Sequence, residues 1–429
     1  MQKTVSFTTL GCKVNQYDTQ AMLEIFMAAG YAPVHGNAPA DVYVVNTCTV
    51  TGSGDKKSMQ LVRRCKRRNP QAELVVCGCL AQRMGAELLD TGARLILGNQ
   101  YRRRVVELLE EAVRDKVQKV AVEDIQNVPY EPLVIHAHEG HTRAVMKIQE
   151  GCDNRCTYCI IPSVRGNIRS RSLEDITREA ESLSAAGFQE LVLTGIHLTS
   201  YGRDLEGRPS LADAMKAACV AGISRIRLGS LEPRVVNDGF VNAAAQMPQL
   251  CPQFHLALQS GSDTVLRRMK RGYNTTQFMA AVDRIRAAWP DAAFTTDVIV
   301  GFPGETEEEF QQTIDFCKAV GFSRLHVFPF SPRKGTPAAD MEDQLSDQVK
   351  SQRVNRLIQV GNQLADEYRR RFVGRKVSVL VEDPEGDSMT GYTPEYIHVK
   401  MNGGKTGELV TVLLEGLTAE GMKGIITEA

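Results

Sequence analysis

Short apolar runs rich in β-branched residues alternate twice with helical stretches, a pattern that admits little besides parallel sheets with crossover helices. In the first run VSFTT, DVYVVN, ELVVC and RLILG are each followed by a helical pattern, at 16–29, 53–68, 81–90 and 102–114. This predicts an open parallel α/β sheet domain over 1–118. Residues 119–140 break the rhythm with Pro129, Pro132 and no clear period, and read as a linker. A second alternation over 141–345, with strand candidates AVMKIQ, ELVLTG, RIRLG, FHLAL, TTDVIVG and RLHVFPF, predicts a partial βα barrel. One long polar helix occupies 346–371. From 372 to 429, KVSVLVED, TGYTPEYIHVKM, ELVTVLLEGL and KGIITE predict a small all-β barrel, because glycine turns separate them and no helix intervenes.

With 43% hydrophobic and 24% charged residues over 429 positions, the chain can bury several cores and is not intrinsically disordered. No apolar run approaches the ~18 residues of a membrane helix, and the start MQKTVSFTTLGC lacks the features of a signal peptide. The expected location is cytoplasmic, with no membrane partner. Disulfides are rare there, so eleven cysteines gathered at a few loops point to metal ligands or reactive groups. Lys plus Arg equals Asp plus Glu at 51 each, yet positive charge is segregated. DKKSMQLVRRCKRR at 55–68 carries seven positive charges against one negative, and RRRFVGRK at 369–376 carries five and none.

Cys12, Cys48 and Cys79 each follow a predicted strand, in TLGC, VVNTC and VCGC. In a parallel sheet such loops emerge at the carboxyl edge, so the three thiols meet at one place. Cys77 lies inside its strand and Cys65 shares a helix face with Met59 and Val62, so both are expected in cores, as are the isolated Cys219, Cys251 and Cys317. The second triplet, Cys152, Cys156 and Cys159 in CDNRCTYC, is packed into one loop after AVMKIQ. Structural zinc usually takes four ligands, often as two separated pairs, and here His141 or His197 would have to supply the fourth. A four-iron cluster held by three cysteines instead keeps one iron open, which could chelate S-adenosylmethionine and deliver the electron that releases a 5'-deoxyadenosyl radical.

Other candidates lie at the carboxyl ends of barrel strands, the face that carries active sites in barrel enzymes. Gly195 and Gly301 could admit a cofactor close to the backbone, and Ser230, Gln259 and Asp297 could hydrogen-bond its amino acid or ribose portions. His136, His138 and His141 in HAHEGH read as a solvated or interdomain group, and ETEEEF at 305–310 reads as a helix start that complements the helix dipole.

The spacing C-x3-C-x2-C with Tyr158 before the last cysteine resembles the radical S-adenosylmethionine superfamily. Across nearly the whole chain, TLGCKVNQYDT, NTCTVT, VCGCLAQ, EGCDNRCTYCIIPSVRG and TDVIVGFPGETEEEF resemble the methylthiotransferase family. The resemblance implies two [4Fe-4S] clusters, an auxiliary one on Cys12, Cys48 and Cys79 and a radical one on Cys152, Cys156 and Cys159, with an RNA-binding TRAM domain at the C-terminus. GCKVNQYDT, GDKKS, GIHLTSYGRD and RLGSLEP are most similar to the branch that methylthiolates C2 of N6-threonylcarbamoyladenosine at position 37, in the tRNA anticodon loop. The branch acting on isopentenyladenosine typically has GCQMN and a GQNV-type loop there. The implied partners are tRNA, an electron donor and a sulfur source, with Lys56, Lys57, Arg63, Arg64, Arg67, Arg68, Arg369 to Arg371, Arg375 and Lys376 as candidate phosphate contacts. Three other readings stay open: methylthiolation of isopentenyladenosine in tRNA, methylthiolation of an aspartate in a ribosomal protein, and a non-catalytic zinc protein that binds RNA.

Overall fold

A computed structural model of the chain describes residues 2–36, 38–138 and 140–427. Its first domain is a six-stranded parallel sheet, ordered β2-β1-β3-β4-β5-β6. The strands are β1 (Thr4–Thr9), β2 (Ala32–Pro33), β3 (Val42–Thr47), β4 (Glu73–Gly78), β5 (Leu95–Leu97) and β6 (Lys119–Ala121). Its helices are α1 (Lys13–Ala28), α2 (Gly52–Arg68), α3 (Cys79–Met84) and α4 (Val105–Arg114). Strand β3 is buried along its whole length because helices cover both faces. Val42 and Val44 pack with Met22, Phe26 and Leu109 on one side, while Tyr43 and Val45 pack with Val62 and Leu88 on the other. Two edge strands escape the sequence pattern. β2 has only two residues and a proline, and β6 is a short run whose middle Val120 is exposed.

Strand β6 also moves a boundary: the segment read as a linker from 119 begins inside the first sheet. The rest of that segment is no free tether, since Ile125, Leu133 and Ile135 are buried. Leu133 and Ile135 join the barrel core, and the carbonyl of Leu133 accepts the Tyr17 hydroxyl at 2.6 Å.

The second domain has strands β7 (Arg143–Glu150), β8 (Arg169–Ser170), β9 (Glu190–Gly195), β10 (Arg225–Leu228), β11 (Gln253–His255), β12 (Ala293–Val300) and β13 (Arg324–Pro329). They form the orders β10-β9-β7-β8 and β11-β12-β13, joined through the bridges Ile226↔Leu250 and Leu231↔Leu256. Six strands run parallel and only β8 is antiparallel. Among the described residues β13 does not pair with β7, so the barrel is incomplete as its strand count predicts. Around it run α5 (Ile161–Arg165), α6 (Leu173–Ala185), α7 (Leu211–Ala218), α8 (Asp238–Ala245), α9 (Asp263–Arg268), α10 (Thr275–Ala288), α11 (Glu307–Val320) and the long α12 (Asp347–Arg370). ETEEEF starts α11 through a reciprocal cap between Thr306 and Glu309.

Helix α1 belongs to both domains. Its Met22 and Phe26 pack in the first sheet, while Tyr17 and Ala21 sit in the barrel core against β7 and β9. The C-terminal strands β14 (Lys376–Glu385), β15 (Ser388–Tyr392), β16 (His398–Met401), β17 (Leu409–Leu417) and β18 (Met422–Ile426) close a barrel. Tyr368 and Phe372, at the end of α12, enter its core. Arg225 fastens it to the second domain through Tyr392 O at 2.9 Å and Ser378 O at 2.8 Å. None of the helices described is long and apolar enough to cross a membrane.

Candidate active site

Strands β1, β3 and β4 are neighbours in the sheet, so Cys12, Cys48 and Cys79 stand side by side at its carboxyl edge. Glycine makes the approach possible. Gly11 has φ +110°, and a Cβ there would lie 3.0 Å from the Cys48 Cβ and 3.2 Å from its sulfur. Gly78 has φ +89°, and a Cβ would fall 2.6 Å from Thr47 O. Two buried asparagines lock the loops: Asn15 Nδ2 donates to Leu10 O at 2.7 Å and Thr47 O at 3.1 Å, and Asn46 Nδ2 donates to Asn15 O at 3.0 Å. Ser58 accepts from Cys48 N and donates to Cys48 O.

Cys79 is buried, and its sulfur accepts the Arg165 Nε–H at 3.1 Å. Cys48 is half-buried and burial pushes its thiol up to about 11. Cys12 is exposed, yet the protein packed around it raises its thiol too, with Arg165 opposing. Neighbouring Lys13 lines a 240 Å³ space between α1, β7, β9 and the C-terminal barrel. Cys77 is in the sheet core as expected, as are Cys65, Cys251 and Cys317 in theirs, and Cys219 is half-buried at a core edge.

The second triplet occupies the loop after β7. A Cβ on Gly151, at φ +74°, would fall 1.8 Å from Asn167 O, so the chain crosses itself just before Cys152. The crossing is held by Cys152 N donating to Gly166 O at 2.9 Å. Thr157 ties the loop to the barrel through Met269 O at 3.1 Å and Arg268 O at 3.0 Å. Burial raises the thiols of Cys152 to about 11 and of Cys159 to about 12, so a metal must displace their protons. The Cys156 sulfur accepts from Arg271 Nη1 at 3.1 Å. Arg271 also donates to Glu232 at 2.7 Å, and Asn154 donates to the same carboxylate at 3.0 Å. Burial works against ionisation of Glu232, but His197 and Arg271 win and hold its carboxyl down at about 2.

The five cofactor-binding candidates are less uniform. Gly195 ends β9 and Gly301 follows β12, but both glycines make room for protein: Gln149 and Leu198 at Gly195, and the stem of Lys350 at Gly301. Ser230 is exposed after β10. Gln259 holds φ +69°, an uncommon value for a non-glycine residue, through Gln259 N on Asp297 O at 2.9 Å and Ile299 N on Gln259 O at 2.9 Å. Asp297 is half-buried within β12, 3.4 Å from His255. The histidines of the connecting segment scatter: His136 meets Glu24, while buried His138 accepts from Val145 N at 3.2 Å and lies against His141 with the rings tilted.

The basic stretches divide. On α2, Lys56, Lys57, Arg63, Arg64 and Arg67 are exposed along one surface, and Arg68 is half-buried. The C-terminal stretch is largely engaged within the chain: Arg371 and Arg375 both pair with Asp291, at 2.6 and 2.7 Å, and Arg369 pairs with Asp366. Those three cations are thus held by intramolecular partners, while Arg371 and Arg375 stay about half exposed. Asp291 lies some 80 residues away and leaves no mark near the basic run. Sequence reasoning also missed Arg165, Arg271 and Glu232 and saw His197 only as a spare zinc ligand. IIPSVRG and SLEP were visible, but nothing in them indicated which sulfur or charge their Arg and Glu would meet.

The donor sets fit iron–sulfur clusters, since each triplet offers three free cysteine sulfurs and an arginine donating to one of them. Among the described residues no three His, Cys, Asp or Glu close on a single ion.

Residues 146–317 match the radical SAM superfamily, SAM being S-adenosylmethionine, and residues 4–98 match an uncharacterised family, UPF0004. The chain is 42% identical, over 93% of its length and 90% of the relative's, to the threonylcarbamoyladenosine tRNA methylthiotransferase MtaB of Bacillus subtilis. It is 38% identical to the tRNA-2-methylthio-N(6)-dimethylallyladenosine synthase of a Parafrankia species, over 96% of this chain and 83% of that one. In fold it resembles the radical S-adenosylmethionine methyltransferase TsrM of Kitasatospora setae, with TM-score 0.58 and 14% identity over 79% of this chain and 77% of that one. The chain therefore belongs to the methylthiotransferase family of radical S-adenosylmethionine enzymes.

Proposed function

We propose that this chain methylthiolates C2 of N6-threonylcarbamoyladenosine at position 37 of tRNA, giving 2-methylthio-N6-threonylcarbamoyladenosine. The observation that carries the reading is the junction of the two triplets: Arg165 follows Cys159 by six residues, and its Nε lies 3.1 Å from the sulfur of Cys79. Two sites so joined suit a reaction that needs a sulfur and a radical at one carbon. The substrate follows the relatives named for threonylcarbamoyladenosine, which match at 42%, 39% and 37% identity over 90%, 96% and 100% of their lengths.

In this reading Cys12, Cys48 and Cys79 hold the auxiliary [4Fe-4S] cluster, and Cys152, Cys156 and Cys159 hold the radical one. When bound, the clusters and S-adenosylmethionine supply the sulfur, the methyl group and the carbon radical that an unactivated aromatic C–H requires. The chain's own residues position and enclose. Arg271 and Arg165 set charge beside the two sites. Ser230, Gln259 and Asp297, on or after β10 to β12, orient S-adenosylmethionine, while Gly195 and Gly301 seat the protein side chains packed beside them. The exposed cations of α2 and the C-terminal barrel engage the tRNA backbone, so that the target base can leave its single-stranded loop. An electron donor and a sulfur source complete the cycle.

Nucleoside mass spectrometry of tRNA from a deletion strain tests this. The expected result is loss of 2-methylthio-N6-threonylcarbamoyladenosine with its unmethylthiolated precursor retained. Loss of the methylthiolated isopentenyladenosine instead would move the chain to the dimethylallyladenosine branch. An unchanged nucleoside profile together with loss of a methylthio group from a ribosomal protein would overturn the tRNA reading.

A further inference from the structure

Arg165 is wholly buried and sits where the first two domains meet. It ends α5, the short helix after the CDNRCTYC loop, and so belongs to the barrel domain. Every strong partner but one lies in the first domain. Nε donates to Cys79 Sγ at 3.1 Å, Nη2 donates to Asn15 Oδ1, and Nη1 reaches Asp18 at 3.2 Å. The exception is Glu150, at 2.5 Å from Nη1, on the strand that leads into the radical loop.

The surrounding charges do not cancel without a sulfur anion. Arg102, Lys147 and Arg165 share the two fully buried carboxylates of Asp18 and Glu150. Arg102 also reaches the partly buried Glu131, at 3.1 Å. A fourth buried cation, Arg169, donates to Arg165 O and has no ion-pair partner among the described residues. Four cations against three carboxylates leave one positive charge, and a buried unpaired charge is costly. An ionised Cys79 would cancel it.

We infer that Arg165 completes the auxiliary-cluster site from the neighbouring domain, donating a charge-assisted hydrogen bond to the Cys79 thiolate and thereby raising the reduction potential of the cluster held there. The inference rests on the assignment of Cys12, Cys48 and Cys79 made above. A cation and an N–H donor on a coordinating sulfur favour the reduced, more negative cluster, which is how surroundings tune such potentials. Arg165 acts through Cys79 and is a positioning residue. It also makes the first site depend on docking of the second domain, for the guanidinium arrives only when α5 lies against α3.

The test uses the full-length chain carrying C152A, C156A and C159A, so that only the auxiliary site can hold iron, reconstituted anaerobically with iron and sulfide. Spectroelectrochemical titration then compares this parent with added R165Q and R165K. R165Q is expected to shift the midpoint to more negative potential by about a tenfold change in the reduction equilibrium, roughly 59 mV for one electron. R165K, which keeps the charge and loses the Nε–H on sulfur, is expected to shift the same way by less. If R165Q unfolds, R165K is read alone by the same criterion. A lowered melting temperature with the parent's midpoint potential would make Arg165 a structural ion-pair residue and overturn the inference. A parent without bound iron would instead bring down the cluster assignment, and the inference with it, so the two failures are told apart.

Discussion

Cys152, Cys156 and Cys159 are delivered by a single eight-residue loop, whereas Cys12, Cys48 and Cys79 meet only after three strands have paired in register. The first arrangement is mostly local: one crossing at Gly151 and two bonds from Thr157 hold the loop. The second is built from long-range contacts, two buried asparagines, and an arginine borrowed from the next domain. A local site tolerates loosening elsewhere. A site assembled from distant strands loses its geometry as soon as register or docking fails.

The largest expected effect separates the two directly. Replacing Cys152, Cys156 and Cys159 with Ala should abolish reductive cleavage of S-adenosylmethionine while about four irons stay bound. Replacing Cys12, Cys48 and Cys79 should leave cleavage measurable and stop methylthiolation. Loss of all iron in either variant, by metal analysis, would show that neither site holds its metal without the other.

Next is the buried network beneath the first triplet. Asp18→Ala leaves Lys147, Arg102 and Arg165 to share Glu150, and breaking such pairs costs about 3–5 kcal/mol. Urea unfolding of the apo chain should register that loss, and iron should fall at the auxiliary site before the radical one. Equal iron loss at both would blur the contrast.

Acid probes the segment that joins the two regions. Burial, and then His141, hold His138 down at about 4, below the ordinary histidine value of about 6.5. A depressed folded value means the unfolded chain takes the proton first. The stabilisation is therefore complete above pH 6.5 and is lost as pH falls toward 4, to the extent of about 3 kcal/mol. Unfolding measured from pH 7 to 4 should show this slope, and His138→Gln should flatten it.

The smallest effect lies away from both triplets. Asp291 pairs with Arg371 and Arg375 on the surface, so Asp291→Asn should cost below about 1 kcal/mol, and less in high salt. By contrast, neutralising an exposed cation of α2 that touches phosphate should reduce the salt slope of tRNA binding by about 0.9.

The same contrast explains what the sequence revealed. The eight-residue triplet was legible because its spacing is the site, and the strand-end cysteines were legible because a parallel sheet gathers its loops at one edge. Strands β2 and β6 were not, being two and three residues long, with a proline in one and an exposed middle residue in the other. Arg165 sat in plain view in IIPSVRG, yet its partner Cys79 lies 86 positions away, and periodicity carries no record of such a contact. The partner of Arg371 and Arg375 was hidden for the same reason, because a basic run shows its own charge and not the distant aspartate that the two share.

Helix α1 has one face in the core of the first sheet and the other in the core of the barrel. Its amides can therefore open to solvent only when both cores open. Hydrogen exchange along Val14–Phe26 should be as slow as whole-molecule unfolding allows, and the two domains should melt in one transition. A chain with one domain unfolded and the other folded is then not a state it visits readily, so heat that opens either core opens both.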